Sequence, residues 1–137
     1  GAVVTRPFYA VLRAEGLALA GRPDEALPLV AEAHALIGRH GERYFEPEVQ
    51  RLMGTLLRAT GRSDADALPW LQDALATARA LALPGLVLRA AVSLAPAWAG
   101  QGRQAEALVL LDEALAAMPE GAPTADLQQA RLLRLAL

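Results

Sequence analysis

Residues 21–30 read GRPDEALPLV, and this stretch decides the fold because it occurs in three copies. The second copy reads GRSDADALPWL at 61–71, and the third reads GRQAEALVLL at 102–111. The leading glycines are 40 and 41 residues apart. Repetition at such an interval is typical of arrays in which each copy is one small supersecondary unit.

Helical patterns lie on both sides of each Gly-Arg pair, since apolar residues recur there at intervals of three and four. The predicted helices before the pairs cover 8–20, 48–60 and 85–99, and those after them cover 24–39, 64–81 and 104–118. A last helix over 125–136 follows Thr124, which we expect to be its N-cap. The sequence therefore predicts an all-α fold of about seven helices, three pairs and a C-terminal helix.

Glycine and proline positions mark the predicted helix ends. Gly21, Gly61 and Gly102 stand where a helix must end and the chain reverse, and glycine enters the left-handed conformation without strain. Pro47 and Pro84 mark the starts of two first helices, where a missing N–H is tolerated.

Three other prolines fall inside predicted helices, where proline removes a hydrogen bond and bends the helix. Pro28 and Pro69 indicate that their helices begin later than the pattern suggests. Pro96 predicts a kink in the first helix of the third copy.

Composition excludes several classes of protein. The net charge is −2, and no basic excess favours a nucleic-acid surface. The longest charge-poor stretch, 90–101, is too short to cross a bilayer. There is no cysteine, which excludes disulfides and is compatible with a reducing cytoplasm, so we expect a cytoplasmic protein. The first residue is not methionine, and we expect a fragment of a larger protein.

No residue pattern favours catalysis, a metal or a cofactor. A phosphate-binding loop would need a lysine, which the chain lacks. His34 and His40 have no second ligand at a metal-binding spacing. The remaining polar groups fit solvated helix faces or lack a nucleophile motif; they are Glu25 and Glu32, Asp112 and Glu113, Ser63 and Ser93. We therefore predict a non-enzymatic domain.

The small and bulky residues of the three copies resemble the signature of the tetratricopeptide repeat. The second copy has Gly54, Leu57, Gly61, Ala67, Leu71 and Ala74 at the signature positions. The corresponding residues are Ala14, Leu17, Gly21, Ala26, Val30 and Ala33 in the first copy, and Ala95, Trp98, Gly102, Ala107, Leu111 and Ala114 in the third. The copies are longer than the family's usual period of about 34 residues, and the second has one extra residue between Gly61 and Ala67.

This resemblance implies one domain over 1–137, a solenoid of helical hairpins. Its repeats would cover about 7–40, 47–82 and 84–118, and a helix over 124–136 would cap the open end of the stack.

Several segments resemble more closely the C-terminal repeat region of large bacterial signalling ATPases. They are 21–26, 40–46, 48–54, 88–95 and 124–131. In that group a nucleotide-switched ATPase precedes the repeats, and a cyclase or DNA-binding domain is often attached elsewhere. The resemblance implies a sensor or interaction arm that regulates the ATPase, and it carries no catalytic residue into this chain.

In the resembled family the first helix of each pair lines a binding groove. The polar residues Glu48, Arg51, Thr55 and Arg58 lie on one stripe of such a helix. The matching positions on the neighbouring first helices include Phe8, Glu15 and Arg89. We predict that the arginines hold the carboxylates of an acidic protein or peptide partner. The alternative is a solvated face with pairs inside one helix, such as Glu48–Arg51.

The aromatic residues are expected to pack inside the fold. Trp98 occupies a bulky signature position and is predicted to be core, and Trp70 is predicted to pack between repeats. Tyr44 and Phe45 precede a first helix and fit a hydrophobic staple.

Three functions remain open. The chain is an interaction module of a larger regulator, a small-ligand sensor of an ATP-dependent transcription activator, or a self-assembly scaffold that dimerises through exposed repeat ends. An enclosed apolar pocket would favour the sensor, and an open groove would favour a peptide.

Overall fold

The computed structural model describes residues 2–40 and 43–137, with side chains over 9–37 and 43–137. Within these residues the chain forms helices and no strand. The α-helices are α1 (Ala2–Leu19), α2 (Pro23–His40), α3 (Glu46–Ala59), α4 (Asp64–Ala80), α5 (Pro84–Gly100), α6 (Gln104–Ala116) and α7 (Thr124–Ala136). A single 3-10 turn, Arg43–Phe45, precedes α3. The prediction of an all-α fold with seven helices is confirmed, although α1 begins earlier than residue 8.

The chain divides into two compact units, residues 1–74 and 75–137. In the first unit α1 and α2 pack together as a hairpin, and α3 packs against both. In the second unit α5 and α6 form the corresponding hairpin, and α7 packs against both of its helices. Helix α4 begins in the first unit and ends in the second.

Three Gly-Arg turns have the same geometry. Gly21, Gly61 and Gly102 have φ of 76°, 80° and 81°. In each turn the glycine N–H bonds a carbonyl three residues back, and the arginine N–H bonds one five residues back, at 2.8–3.1 Å. These paired bonds form a Schellman motif, which satisfies the last carbonyls of the helix. The predicted left-handed glycines are confirmed.

A fourth turn of this kind has no glycine. Ala82 has φ 54°, its N–H bonds the Arg79 carbonyl at 3.0 Å, and the Leu83 N–H bonds the Ala78 carbonyl at 3.2 Å. The chain therefore ends α4 with the same motif while holding a Cβ in the left-handed region, where an L-residue is strained.

Proline positions confirm some predictions and correct others. Pro47 and Pro84 lie in the first turns of α3 and α5, as predicted. Pro28 and Pro69 do not delay their helices, because α2 and α4 run through them. Each is the sixth residue of its helix and is exposed, so only a bond of the second turn is lost. Helix α5 also continues through Pro96, and the kink there stays a prediction.

The predicted N-cap of the last helix is wrong. Thr124 is already the first residue of α7, and Pro123, with φ −54° and ψ 130°, precedes it in an extended conformation. No side chain caps this end. A helical backbone at Thr124 prevents its hydroxyl from adopting the geometry of an N-cap, which requires a non-helical residue.

Small signature residues allow the helices to pack closely. Ala26, Ala67 and Ala107 are fully buried, as are Ala14 and Ala95. Gly54 lies so close to α4 that an added Cβ would come within 2.6 Å of the Leu71 side chain and 3.1 Å of the Ala67 carbonyl oxygen. Alanine and glycine thus set the helix spacing in a chain with few aromatic residues.

Candidate functional site

The polar stripe of α3 (Glu48, Arg51, Thr55 and Arg58) is built on salt bridges. The Arg51 Nε donates to Glu48 Oε2 at 2.9 Å, and its Nη2 lies 4.0 Å from Glu15 Oε1 on α1. The side chains of Arg51 and Glu48 are only 13% and 14% exposed. The alternative of an intra-helix Glu48–Arg51 pair is therefore present in the structure. Two carboxylates surround one guanidinium, so this part of the stripe already holds its cation in place.

The other predicted groove residues make separate contacts. The Thr55 hydroxyl donates to the Arg51 carbonyl oxygen of its own helix at 2.9 Å. The Arg58 Nε lies 3.6 Å from Asp64 Oδ1 at the start of α4. Arg89 is half-buried on α5, in the second unit, and the Phe8 side chain falls outside the described residues. The binding of an acidic partner by these arginines stays a prediction.

Trp98 departs from its predicted core position, because it is only half-buried. It is the α5 residue whose carbonyl accepts the Arg103 N–H in the third Gly-Arg turn. That motif brings the two side chains together, and the guanidinium lies over the indole at 4.3 Å from the ring centroid. The indole Nε1 is buried without an acceptor among the described residues.

The remaining aromatics have structural contacts. Trp70 is half-buried, and its ring meets the edge of the His34 ring with centroids 5.0 Å apart and planes at 83°. Phe45 packs against the core of the first unit, whereas Tyr44 is exposed. Phe45 is the N-cap residue of α3, and Tyr44, at the preceding position that a hydrophobic staple requires, is exposed, so the predicted staple is wrong.

Two adjoining grooves lie in the second unit, where the sequence did not place a site. The first, of about 390 Å³, is lined by Arg79, Ala82, Leu83, Pro84, Val87, Glu113, Ala114 and Ala117. The second, of about 360 Å³, is lined by Arg79, Trp98, Ala105, Glu106, Val109, Leu110 and Glu113. Both are open to solvent and mainly apolar. We call them together the α6 grooves, because α6 forms a wall of each.

Arg79 and Glu113 border both grooves. Both are exposed, and neither has an ion pair within 4.0 Å in the part of the chain that the structure describes. Their neighbours Arg103 and Glu106 differ, because these two form a salt bridge at 2.8 Å. Hydrogen bonding to Arg103 lowers the pKa of the Glu106 carboxyl, and hydrogen bonding to Glu106 raises the pKa of Arg103. The α6 grooves thus combine an apolar floor with one uncommitted charge of each sign.

A signal for these grooves is present in the sequence. Val109 occupies the position of Pro28 and Pro69 in the aligned copies, and all three are exposed. An apolar residue at the solvent-facing position of every copy marks this side of the second helices. None of the residues predicted for the first-helix groove lines either cavity.

Two kinds of feature are absent from the residues that the structure describes. No cluster of three or more potential metal-ligating His, Cys, Asp or Glu side chains occurs there. No helix there has the length and apolar character needed to cross a membrane. Comparison of the chain with protein-family models, with curated proteins and with solved structures yields no match.

Proposed function

We propose that the chain is a non-catalytic interaction module of the tetratricopeptide kind that binds an amphipathic segment of a protein partner along the α6 grooves. The observation that carries this proposal is the pair of apolar grooves that meet at Arg79 and Glu113. Charged groups without partners beside an apolar floor are available for a ligand, and such a floor supplies most of the binding free energy.

The dimensions and chemistry of the grooves suit a helix. Helix α6 has 13 residues and is therefore about 20 Å long. A helical ligand of similar length would place apolar side chains at intervals of three and four along this wall. Trp98 and Val109 would supply large apolar contacts at one end, and the alanines at 114 and 117 would let the ligand backbone approach at the other.

The repeat organisation supports the family part of the proposal. Three turns share one hydrogen-bond pattern, and the signature alanines are fully buried. With the resemblance to the C-terminal regions of bacterial signalling ATPases, this supports a cytoplasmic regulatory arm of a larger protein. The openness of the grooves favours a peptide over the small inducer of the alternative function, because a small ligand usually needs a site that encloses most of its surface.

A peptide selection tests the proposal. Peptides selected from a random library against the chain are titrated calorimetrically into the wild type and two variants. Val109→Glu places a charge on the floor of the second groove, and Leu12→Glu is the matched control because the two residues are 55% and 48% exposed. We expect Val109→Glu to weaken binding at least about tenfold and Leu12→Glu to leave it unchanged. Equal affinities for wild type and Val109→Glu would place the binding surface elsewhere.

A further inference from the structure

We infer that the α6 grooves bind helix α7 of a second copy of this chain, which forms a reciprocal dimer. This inference rests on the proposed function, because it names the partner of the same grooves. It depends on the outer face of α7, which we define by Arg131, Leu132 and Leu135.

The outer face of α7 carries two exposed leucines. Leu132 and Leu135 are 67% and 81% exposed and lie three residues apart, so they point in nearly the same direction. Helix α7 packs against α5 and α6 but leaves these two leucines uncovered.

The inner side of α7 is already committed within its own chain. Ala130 is fully buried, and Arg134 forms a two-point salt bridge with Asp112 on α6. These contacts hold α7 on its own hairpin, so its outer face points away from that hairpin. Leu132 and Leu135 are therefore exposed on the side of α7 that another chain can contact.

The α6 grooves complement this face in shape and charge. Val109, Leu110 and the small residues Ala105, Ala114 and Ala117 form an apolar surface that a helix can approach closely. Arg131 is exposed and has no ion pair among the described residues, like Glu113 in the groove. A bound α7 would therefore bring the unpaired Arg131 guanidinium to the unpaired Glu113 carboxylate. The last carbonyls of α7 carry partial negative charge, which suits Arg79.

The outer face of α7 and the α6 grooves lie in the same unit, so each of two copies can bind the α7 of the other. Each copy would offer its α7 and receive the α7 of its partner, which is the self-complementary arrangement of a two-fold dimer. In such an arrangement each contact occurs twice and neither copy keeps a free binding surface. The assembly therefore stops at a dimer and does not grow into a fibre.

Sedimentation equilibrium of the chain over a range of concentrations tests this inference. The wild type is expected to be a concentration-dependent dimer. The variant Leu132→Glu/Leu135→Glu should weaken dimerisation by about a hundredfold, because it places charges in the apolar contact. The control Leu12→Glu/Leu19→Glu alters two exposed leucines of α1 and should dimerise like the wild type. Circular dichroism verifies that each variant is folded.

Charge reversal identifies the contact. Arg131→Glu and Glu113→Arg should each weaken dimerisation about tenfold, and the combined variant should recover most of the loss. A wild type that stays monomeric at all concentrations would overturn the inference, as would a combined variant no better than the single ones. If peptides from the library bind the monomer in a way that Val109→Glu abolishes, the proposed function stands and the grooves serve another protein.

Discussion

The polar stripe of α3 and the α6 grooves are two charged surfaces with opposite properties. Arg51 on the stripe is mostly buried between two carboxylates, whereas Arg79 and Glu113 at the grooves are exposed and without ion pairs in the described chain. The stripe has the regular spacing that suggested a binding site, and the grooves have the uncommitted groups that a ligand can use. The charge pattern along a helix therefore predicts where charged side chains lie. Only the groups that those side chains contact in the folded chain show whether they stabilise the fold or can bind a ligand.

The largest test of α3 as a structural element is Gly54→Ala. The new Cβ would come within 2.6 Å of the Leu71 side chain, so we expect a loss of about 2 kcal/mol in the free energy of unfolding. Gly16→Ala is the matched control, because a Cβ there meets nothing within 4 Å and alanine favours the helix by about 1 kcal/mol. Urea denaturation measures both.

A second change can relieve the contact at Gly54. The first copy combines Ala14 with Val30 where the second combines Gly54 with Leu71. Adding Leu71→Val to Gly54→Ala should therefore be less destabilising than the sum of the single changes. Strict additivity would show that Leu71 is not the residue that resists the new methyl group.

A direct comparison of the two surfaces uses one substitution at each. Arg51→Met leaves Glu48 mostly buried without its bidentate partner, and we expect a loss of about 1 to 2 kcal/mol. Arg79→Met removes a charge that has no ion pair in the described chain, and stability should change by less than about 0.5 kcal/mol. Equal losses in urea denaturation would remove the distinction between stripe and grooves.

The rim of the first groove provides a smaller test. Ala82 lines it in a left-handed conformation, so Ala82→Gly should stabilise the chain by about 0.5 to 1 kcal/mol. Gly102→Ala should destabilise the chain, because it places a Cβ in the left-handed region, although the space around that position is open. Thermal unfolding followed by circular dichroism measures whether each substitution stabilises or destabilises the chain. Destabilisation by Ala82→Gly would mean that the methyl group contributes more through contacts than it loses through strain.

The smallest expected effect concerns pH. Hydrogen bonding to Arg134 lowers the pKa of Asp112 in the folded chain. The stabilisation is therefore present above the pKa of the unfolded chain and is lost as pH falls through the lower pKa of the folded one. Carbon-13 NMR titration should show this depressed pKa in the wild type and its return toward the ordinary value in Arg134→Met. An unchanged pKa in that variant would contradict the assigned cause.

Local features of the fold were predictable from the sequence. The three Gly-Arg turns follow from the sequence because each needs only a left-handed residue, which glycine supplies at 21, 61 and 102. Close helix packing follows from the small size of the residues at 14, 54 and 95. The turn at Ala82 was not predictable, since alanine carries no preference for a left-handed conformation. The predicted N-cap at Thr124 was wrong because a residue that can cap a helix does not by itself fix where the helix begins.

The candidate site was less predictable for the same reason. The Glu48–Arg51 pair follows from spacing within one helix, whereas the contact with Glu15 depends on how α1 meets α3. The α6 grooves depend on residues from α4, α5 and α6 together. Exposed apolar residues at 28, 69 and 109 gave the available sequence signal, but they do not by themselves form a cavity.

The two tryptophans provide each compact unit with its own optical reporter. Trp70 belongs to the first unit and meets the edge of the His34 ring, so its emission reports on the packing of that unit. Trp98 belongs to the second unit and lies beneath a guanidinium, where transfer to water on unfolding changes its emission wavelength. Replacing either by phenylalanine leaves a single tryptophan, so the order in which the two halves of the chain melt can be recorded from tryptophan emission without any added dye.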